Sequence, residues 1–113
     1  MHEMSTCRRI LREVSKITTH HKDKRLTRIT LEVGDLARID VDELQELFPL
    51  ATQGTPYEGV GLHITRVPTG FRCADCQQYI TVTDTELSCP HCGSSRTVLE
   101  SGTDMTLKEL EFE

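Results

Sequence analysis

The sequence predicts an α+β protein, a small three-stranded sheet with two helices, interrupted before its last strand by an inserted four-cysteine module. Three observations carry this expectation. Apolar residues recur at spacings of three and four near the N-terminus, Ile29, Leu31 and Val33 alternate with polar neighbours, and two Cys-x-x-Cys pairs stand 12 residues apart.

Met4, Cys7, Ile10, Leu11, Val14 and Ile17 share one helical face, so an amphipathic helix opens the chain. It should end between Thr18 and Asp23, where the apolar period stops. On that face Cys7 reads as a buried, inert thiol. Arg28 to Val33 alternates at the period of a half-buried strand, which Gly34 and Asp35 break.

Asp40, followed three residues later by Glu43, has the form of a capping box, and Leu44, Leu47 and Phe48 supply a second apolar helical face. Pro49 falls inside that pattern. It removes a backbone donor and crowds the preceding turn, so the helix should be kinked or split there. Gly54 is the expected C-terminal stop.

Leu62 to Val67 reads as a second strand. Met105 to Phe112 reads as a third, with its alternation slipping phase at Lys108 and Glu109, where a bulge is expected. A single strand after the cysteines has too little around it to stand alone, so it should rejoin the first two. The domains are then 1–69 with 103–113, and an inserted 70–102, with Pro68-Thr69-Gly70 and Ser101-Gly102 as hinge-like linkers.

At 113 residues, 36% of them hydrophobic and none of them Trp, the chain makes one compact domain or two very small ones, and the smaller part needs a metal or a partner to hold it. Net charge is -5, lopsidedly distributed. Residues 1–70 carry ten Lys and Arg against ten Asp and Glu, whereas residues 71–113 carry three against eight. A nucleic-acid-binding zinc ribbon would need the opposite sign to contact phosphates.

No apolar run is long enough to span a bilayer, and the N-terminus lacks a secretory pattern. A cytoplasmic location without membrane contact is the expectation. A reducing compartment favours metal-binding thiols over disulfides.

Cys73, Cys76, Cys89 and Cys92, in the order C-x2-C-x12-C-x2-C, place two thiolates on each of two tight knuckles, where four sulfurs can converge on one Zn(II) at about 2.3 Å. The module is therefore zinc-ribbon-like, and its folding should be coupled to metal binding. Two disulfides are disfavoured by the compartment, and an iron tetrathiolate remains open on geometry alone. Four protein thiolates leave no open position for water, so the metal is structural, and no closed set of nucleophile, base and open metal position marks an enzyme. His91, inside the second knuckle, reads as a solvated residue.

The chain begins Met1-His2-Glu3. The Met1 amine, the His2 amide nitrogen and the His2 imidazole can form consecutive chelate rings, with Glu3 as a further donor. Such nitrogen-rich sites suit Ni(II) or Cu(II), with an affinity that falls on acidification. Taken by position alone, the favoured reading is a frayed helix start in which Glu3 complements the helix dipole.

Met-His-Glu-Met-Ser at the N-terminus, Leu-Glu-Val-Gly-Asp-Leu at 31–36, Gly54-Thr55, the paired cysteine motifs and the closing Leu-Lys-Glu-Leu-Glu together resemble the HypA/HybF family of hydrogenase maturation proteins over essentially the whole chain. The resemblance implies a nickel metallochaperone without catalytic activity, with an α/β nickel-binding domain and a zinc-binding module inserted before its last strand. It reverses the reading of the N-terminus. Met1 and His2, with Glu3 participating or tuning, become the nickel site, and Cys73, Cys76, Cys89 and Cys92 the zinc site.

Further implied are the HypB GTPase and the [NiFe]-hydrogenase large subunit as partners, with urease maturation proteins as additional partners in some organisms, and a monomer or weak homodimer. His20 and His21 are expected to face solvent. Against binding of a second nickel the solvent-facing reading is favoured, with that pair or His63 as the alternative accessory ligand.

Overall fold

A computed structural model describes residues 2–82 and 88–113. Leu87, one of the apolar residues of the cysteine module, lies outside the described residues. The elements run α1 (Glu3–Thr18), β1 (Leu26–Gly34), α2 (Val41–Thr52), β2 (Gly61–Val67), β3 (Thr69–Cys73), β4 (Tyr79–Val82), β5 (Thr97–Ser101) and β6 (Met105–Phe112). They build two three-stranded sheets, one in the order β2-β1-β6 and one in the order β4-β3-β5. The expected sheet with two helices is present, and β6 does rejoin β1 after the cysteine module.

The chain divides into two compact units. The first comprises Met1–Leu31, Ile39–Thr65 and Thr106–Glu113, and the second Glu32–Arg38 and Arg66–Met105. The grouping of Glu32–Arg38 with the cysteines has no counterpart in the sequence pattern, where Glu32 and Val33 only continue the alternation of β1.

In the first unit α1 and α2 pack together. The three- and four-residue spacings bury Cys7, Ile10 and Val14 from α1 and Val41, Leu44 and Phe48 from α2, while β1 buries Leu26, Ile29 and Leu31. Burying such side chains contributes about 1.5–3 kcal/mol each. Asp40 caps α2, its Oδ1 accepting from Glu43 N–H at 3.1 Å, and Gly54 follows the helix at φ +75°, a left-handed conformation that suits glycine.

Of the two outcomes expected at Pro49, a kink or a split, the split does not occur: the helix runs unbroken from Val41 to Thr52. The pyrrolidine is exposed, and the turn beyond it is closed by Thr52, whose Oγ1 donates to the carbonyls of Phe48 (3.1 Å) and Pro49 (3.2 Å). Along β6 burial alternates until two successive exposed residues, Lys108 and Glu109, then resumes in the opposite phase. The phase slip read from the sequence is therefore a feature of the folded strand. Arg28 to Glu111 (3.1 Å) and Arg25 to Glu113 (3.1 Å) bridge the first unit at its surface.

In the second unit β3 pairs antiparallel with β4 (Phe71 opposite Ile80) and with β5 (Phe71 opposite Leu99). Thr69 and Gly70 are not a linker. They are buried residues of β3, paired with Val82 and Thr81, and Ser101 belongs to β5 opposite Gly70. The sequence reading missed this second sheet because its strands are only four or five residues long and carry few apolar residues.

Candidate functional site

Among the described residues of the second unit, Phe71, Cys73, Ile80 and Cys89 form a small buried cluster, with Cys76 packed against them. Two of its four members are themselves predicted ligands. So little apolar surface holds a β-structure poorly, which is why the cysteines matter structurally as well as chemically.

The first knuckle begins as β3 ends. Gln77 N–H donates to the Cys73 carbonyl (2.9 Å) and Cys73 N–H to the Gln78 carbonyl (3.0 Å), with Gln77 at φ +65° turning the chain into β4. The second knuckle closes in the same way. Gly93 N–H donates to Cys89 O (2.8 Å) and Cys89 N–H to Ser94 O (2.9 Å), with Gly93 at φ +75°.

These turns bring all four predicted cysteines together, with every pair of Sγ atoms within 4.8 Å. Cys73 and Cys92 stand 3.5 Å apart and Cys76 and Cys89 3.6 Å. A tetrahedron with Zn–S bonds of about 2.3 Å has edges of about 3.8 Å, so the four sulfurs fit one such ion. All four are free thiols, at separations well beyond the roughly 2.05 Å of a disulfide. Cys73 and Cys89 are buried, Cys76 half-buried and Cys92 exposed.

The backbone of the first knuckle favours a thiolate. Amide hydrogen bonds from Cys76 and Asp75 pull Cys73 down to about 6 against the effect of burial. Cys92, whose thiolate the Ser94 amide favours, is nonetheless pushed up to about 12 by the neighbouring Cys73 sulfur, with Cys89 and Cys76 adding to the effect. The cluster thus gives up its first proton readily and its last with difficulty, as expected where like charges converge, and a divalent cation would remove that repulsion.

At the other end of the chain, His2 is the N-cap of α1 and its side chain is exposed, making no capping hydrogen bond. Its carbonyl accepts from Thr6 N–H (2.9 Å) and Thr6 Oγ1 (3.1 Å), so the backbone at His2 is fixed while the imidazole is left to solvent. Glu3 is buried, 3% exposed, at the first position of the helix. Its charge and, more strongly, burial push the Cys7 thiol up, which keeps Cys7 neutral as the sequence suggests. Met1 lies outside the described residues.

His20, His21, His63 and His91 are all exposed, and the His21 ring lies 5.0 Å from that of Phe112. Among the described residues, the four cysteines form the single converging group of His, Cys, Asp or Glu side chains. Sequence reasoning missed Asp75, Ser94 and Arg96, which join the two knuckles by side-chain hydrogen bonds. Asp75 sits between two cysteines, but nothing in the sequence pairs it with a basic residue 21 positions on.

Fold and site together define a small α+β protein with a four-cysteine cluster shaped for one metal ion and an exposed histidine at the head of its first helix. A family model described as "Hydrogenase/urease nickel incorporation, metallochaperone, hypA" matches residues 1–112. The chain belongs to this HypA/HybF family of hydrogenase maturation nickel metallochaperones.

Relatives include the hydrogenase maturation factor HypA of Paracoccus denitrificans, 33% identical over 98% of both chains, and HybF of Morganella morganii, 34% identical over the whole of both. The fold is similar to the solution structure of the Ni metallochaperone HypA from Helicobacter pylori (TM-score 0.69, 18% identity, 98% of this chain and 97% of that one). A second HypA solution structure gives a TM-score of 0.74 at 18% identity, over 100% and 97% of the two chains.

Proposed function

We propose that this protein carries Ni(II) at its N-terminus and helps deliver it to the large subunit of [NiFe]-hydrogenase, working in the cytoplasm with the HypB GTPase and catalysing no reaction of its own. The Met1 amine, the His2 amide nitrogen and the His2 imidazole are the donors, with Glu3 as a further donor or a tuning charge. The observation that carries the reading is His2 itself, exposed and uncommitted at the head of α1 in a chain whose family match begins at residue 1.

A cation at a helix N-terminus meets the positive end of the macrodipole, an unfavourable arrangement. The Glu3 carboxylate, buried in the first helical turn, offsets that field and the nickel charge together. Chelation through the exposed His2 also suits a carrier. A partner that competes for one donor can remove the ion stepwise, whereas the closed thiolate cluster holds its Zn(II) as a cross-link between the knuckles.

In this reading the nickel-binding part is residues 1–69 with 103–113 and the zinc-binding part 70–102. Nickel titration of the native chain and of His2→Ala, followed by calorimetry and by the visible d–d bands of Ni(II), tests it. The helix start uses the His2 carbonyl and not its imidazole, so His2→Ala should keep the helix and lose the site. Unchanged nickel affinity in His2→Ala would overturn the assignment.

A further inference from the structure

Ser94 faces both knuckles. Its carbonyl accepts the Cys89 amide that closes the second knuckle (2.9 Å), while its Oγ donates to Oδ2 of Asp75, between the two cysteines of the first. The other oxygen of Asp75, Oδ1, receives Arg96 Nη1 at 2.7 Å, and Arg96 N–H returns to Ser94 Oγ at 3.0 Å. Beneath these side chains Ala74 N–H donates to the Arg96 carbonyl at 2.7 Å. Both oxygens of one carboxylate are therefore used, and each leads to the strand of chain that follows the other knuckle.

We propose that Asp75, Ser94 and Arg96 form a clamp across the two knuckles that holds the four sulfurs together and slows the loss of Zn(II). The chemistry supports a rate effect. A tetrathiolate would release zinc one sulfur at a time, and complete loss requires the knuckles to part, Cys73 and Cys76 from Cys89 and Cys92. Hydrogen bonds that span the gap resist that parting and favour reclosure over escape. In the buried cluster of described residues beside the knuckles, two of the four members are themselves cysteines.

The pair is partly exposed, with side-chain exposures of 42% for Asp75 and 72% for Arg96, so water and salt weaken it. Its three-way geometry and the charge on both partners work the other way. These positioning residues do not touch the metal, so the expected effect lies below the 10- to 100-fold typical of groups bonded directly to ligands: about three- to tenfold.

The inference rests on reading the four cysteines as a zinc site. The test uses the full-length, zinc-loaded chain mixed with excess chromogenic chelator, following the rate of zinc transfer in the parent, Asp75→Asn, Arg96→Gln, the double variant, Ser94→Ala and Arg28→Gln. A parent chain that holds no zinc would refute the site and not the clamp.

With zinc bound, Asp75→Asn and Arg96→Gln should each speed release by about three- to tenfold, and the double variant should be no faster than the faster single variant. Arg28→Gln, which breaks an ion pair of the first unit, should release zinc at the parent rate. Parent-like rates in Asp75→Asn and Arg96→Gln, or fully additive effects in the double variant, would overturn the clamp. Should Asp75→Asn fail to fold, Ser94→Ala and Arg96→Gln decide: faster release supports the clamp and parent rates overturn it.

Discussion

Gly34 packs backbone to backbone on Gly102. A Cβ added to Gly34 would overlap the Gly102 carbonyl group, and that carbonyl accepts from Leu36 N–H at 2.8 Å. Gly102 adopts φ +82°, and a Cβ there would lie 2.6 Å from the Pro68 carbonyl oxygen. Gly34 is the glycine of the Leu-Glu-Val-Gly-Asp-Leu segment, so its identity is set by close packing within the second unit.

Gly34→Ala should therefore be costly, because the obstacle is backbone and not a side chain that can swing aside. A loss of about 2–4 kcal/mol is expected by thermal or denaturant unfolding. A parent-like midpoint would show that the approach of Gly34 to Gly102 is not tight.

Removing the metal from the four-cysteine site should melt the second unit and spare the first. Excess chelator, or Cys73→Ser, should collapse the amide dispersion of β3, β4 and β5 in a 15N–1H spectrum, while Ile10, Val14 and Leu44 keep their native shifts. Retention of β3, β4 and β5 without metal would contradict a folding role for the ion.

Cys7 makes the alkaline limb of stability steeper. Burial, helped by Glu3, raises its folded pKa above the ordinary thiol value of 9.0, so the folded state keeps its proton when the unfolded chain has lost it. The resulting stabilisation is complete below pH 9 and is lost as pH rises through the higher folded value. Cys7→Ala should flatten the fall in unfolding midpoint above about pH 9, at a fixed cost for the smaller side chain. An identical slope in both proteins would refute the assignment.

Pro49 is tolerated and not required by α2. Its exposed ring removes one backbone donor from the interior of a continuous helix, so Pro49→Ala should raise stability by about 1–2 kcal/mol, less than the full helix-propensity difference because proline also restrains the unfolded chain. A lower melting temperature would mean that the ring makes a contact the helix needs.

Where a residue's role follows from its own neighbours in sequence, the sequence showed it. The 4, 7, 10, 14 spacing placed Cys7, Ile10 and Val14 in the core, Asp40 capped α2, and the phase slip at Lys108 and Glu109 persists in β6. The cysteine spacing likewise foretold that four sulfurs converge.

What stayed hidden depends on partners distant in sequence. Gly70, read as a linker, is a paired residue of β3 beneath Tyr79, whose hydroxyl lies 2.7 Å from Ser101 Oγ. Asp75 and Arg96 meet only because two knuckles are apposed, and Gly34 meets Gly102 only because both turns fold into one unit. At Pro49 the general rule against proline in helices left a kink and a split as alternatives, and local sequence did not decide between a continuous and a divided helix.

In the proposed function nickel is held by the chain end itself, through the Met1 amine and His2. Metal analysis of the untagged protein, beside a form carrying one extra residue before Met1, tests it most directly, since the extension moves the free amine while leaving every side chain in place. The account predicts one nickel per native chain, loss of nickel from the extended form, and about one zinc per chain in both. Stoichiometric nickel in the extended form would contradict it.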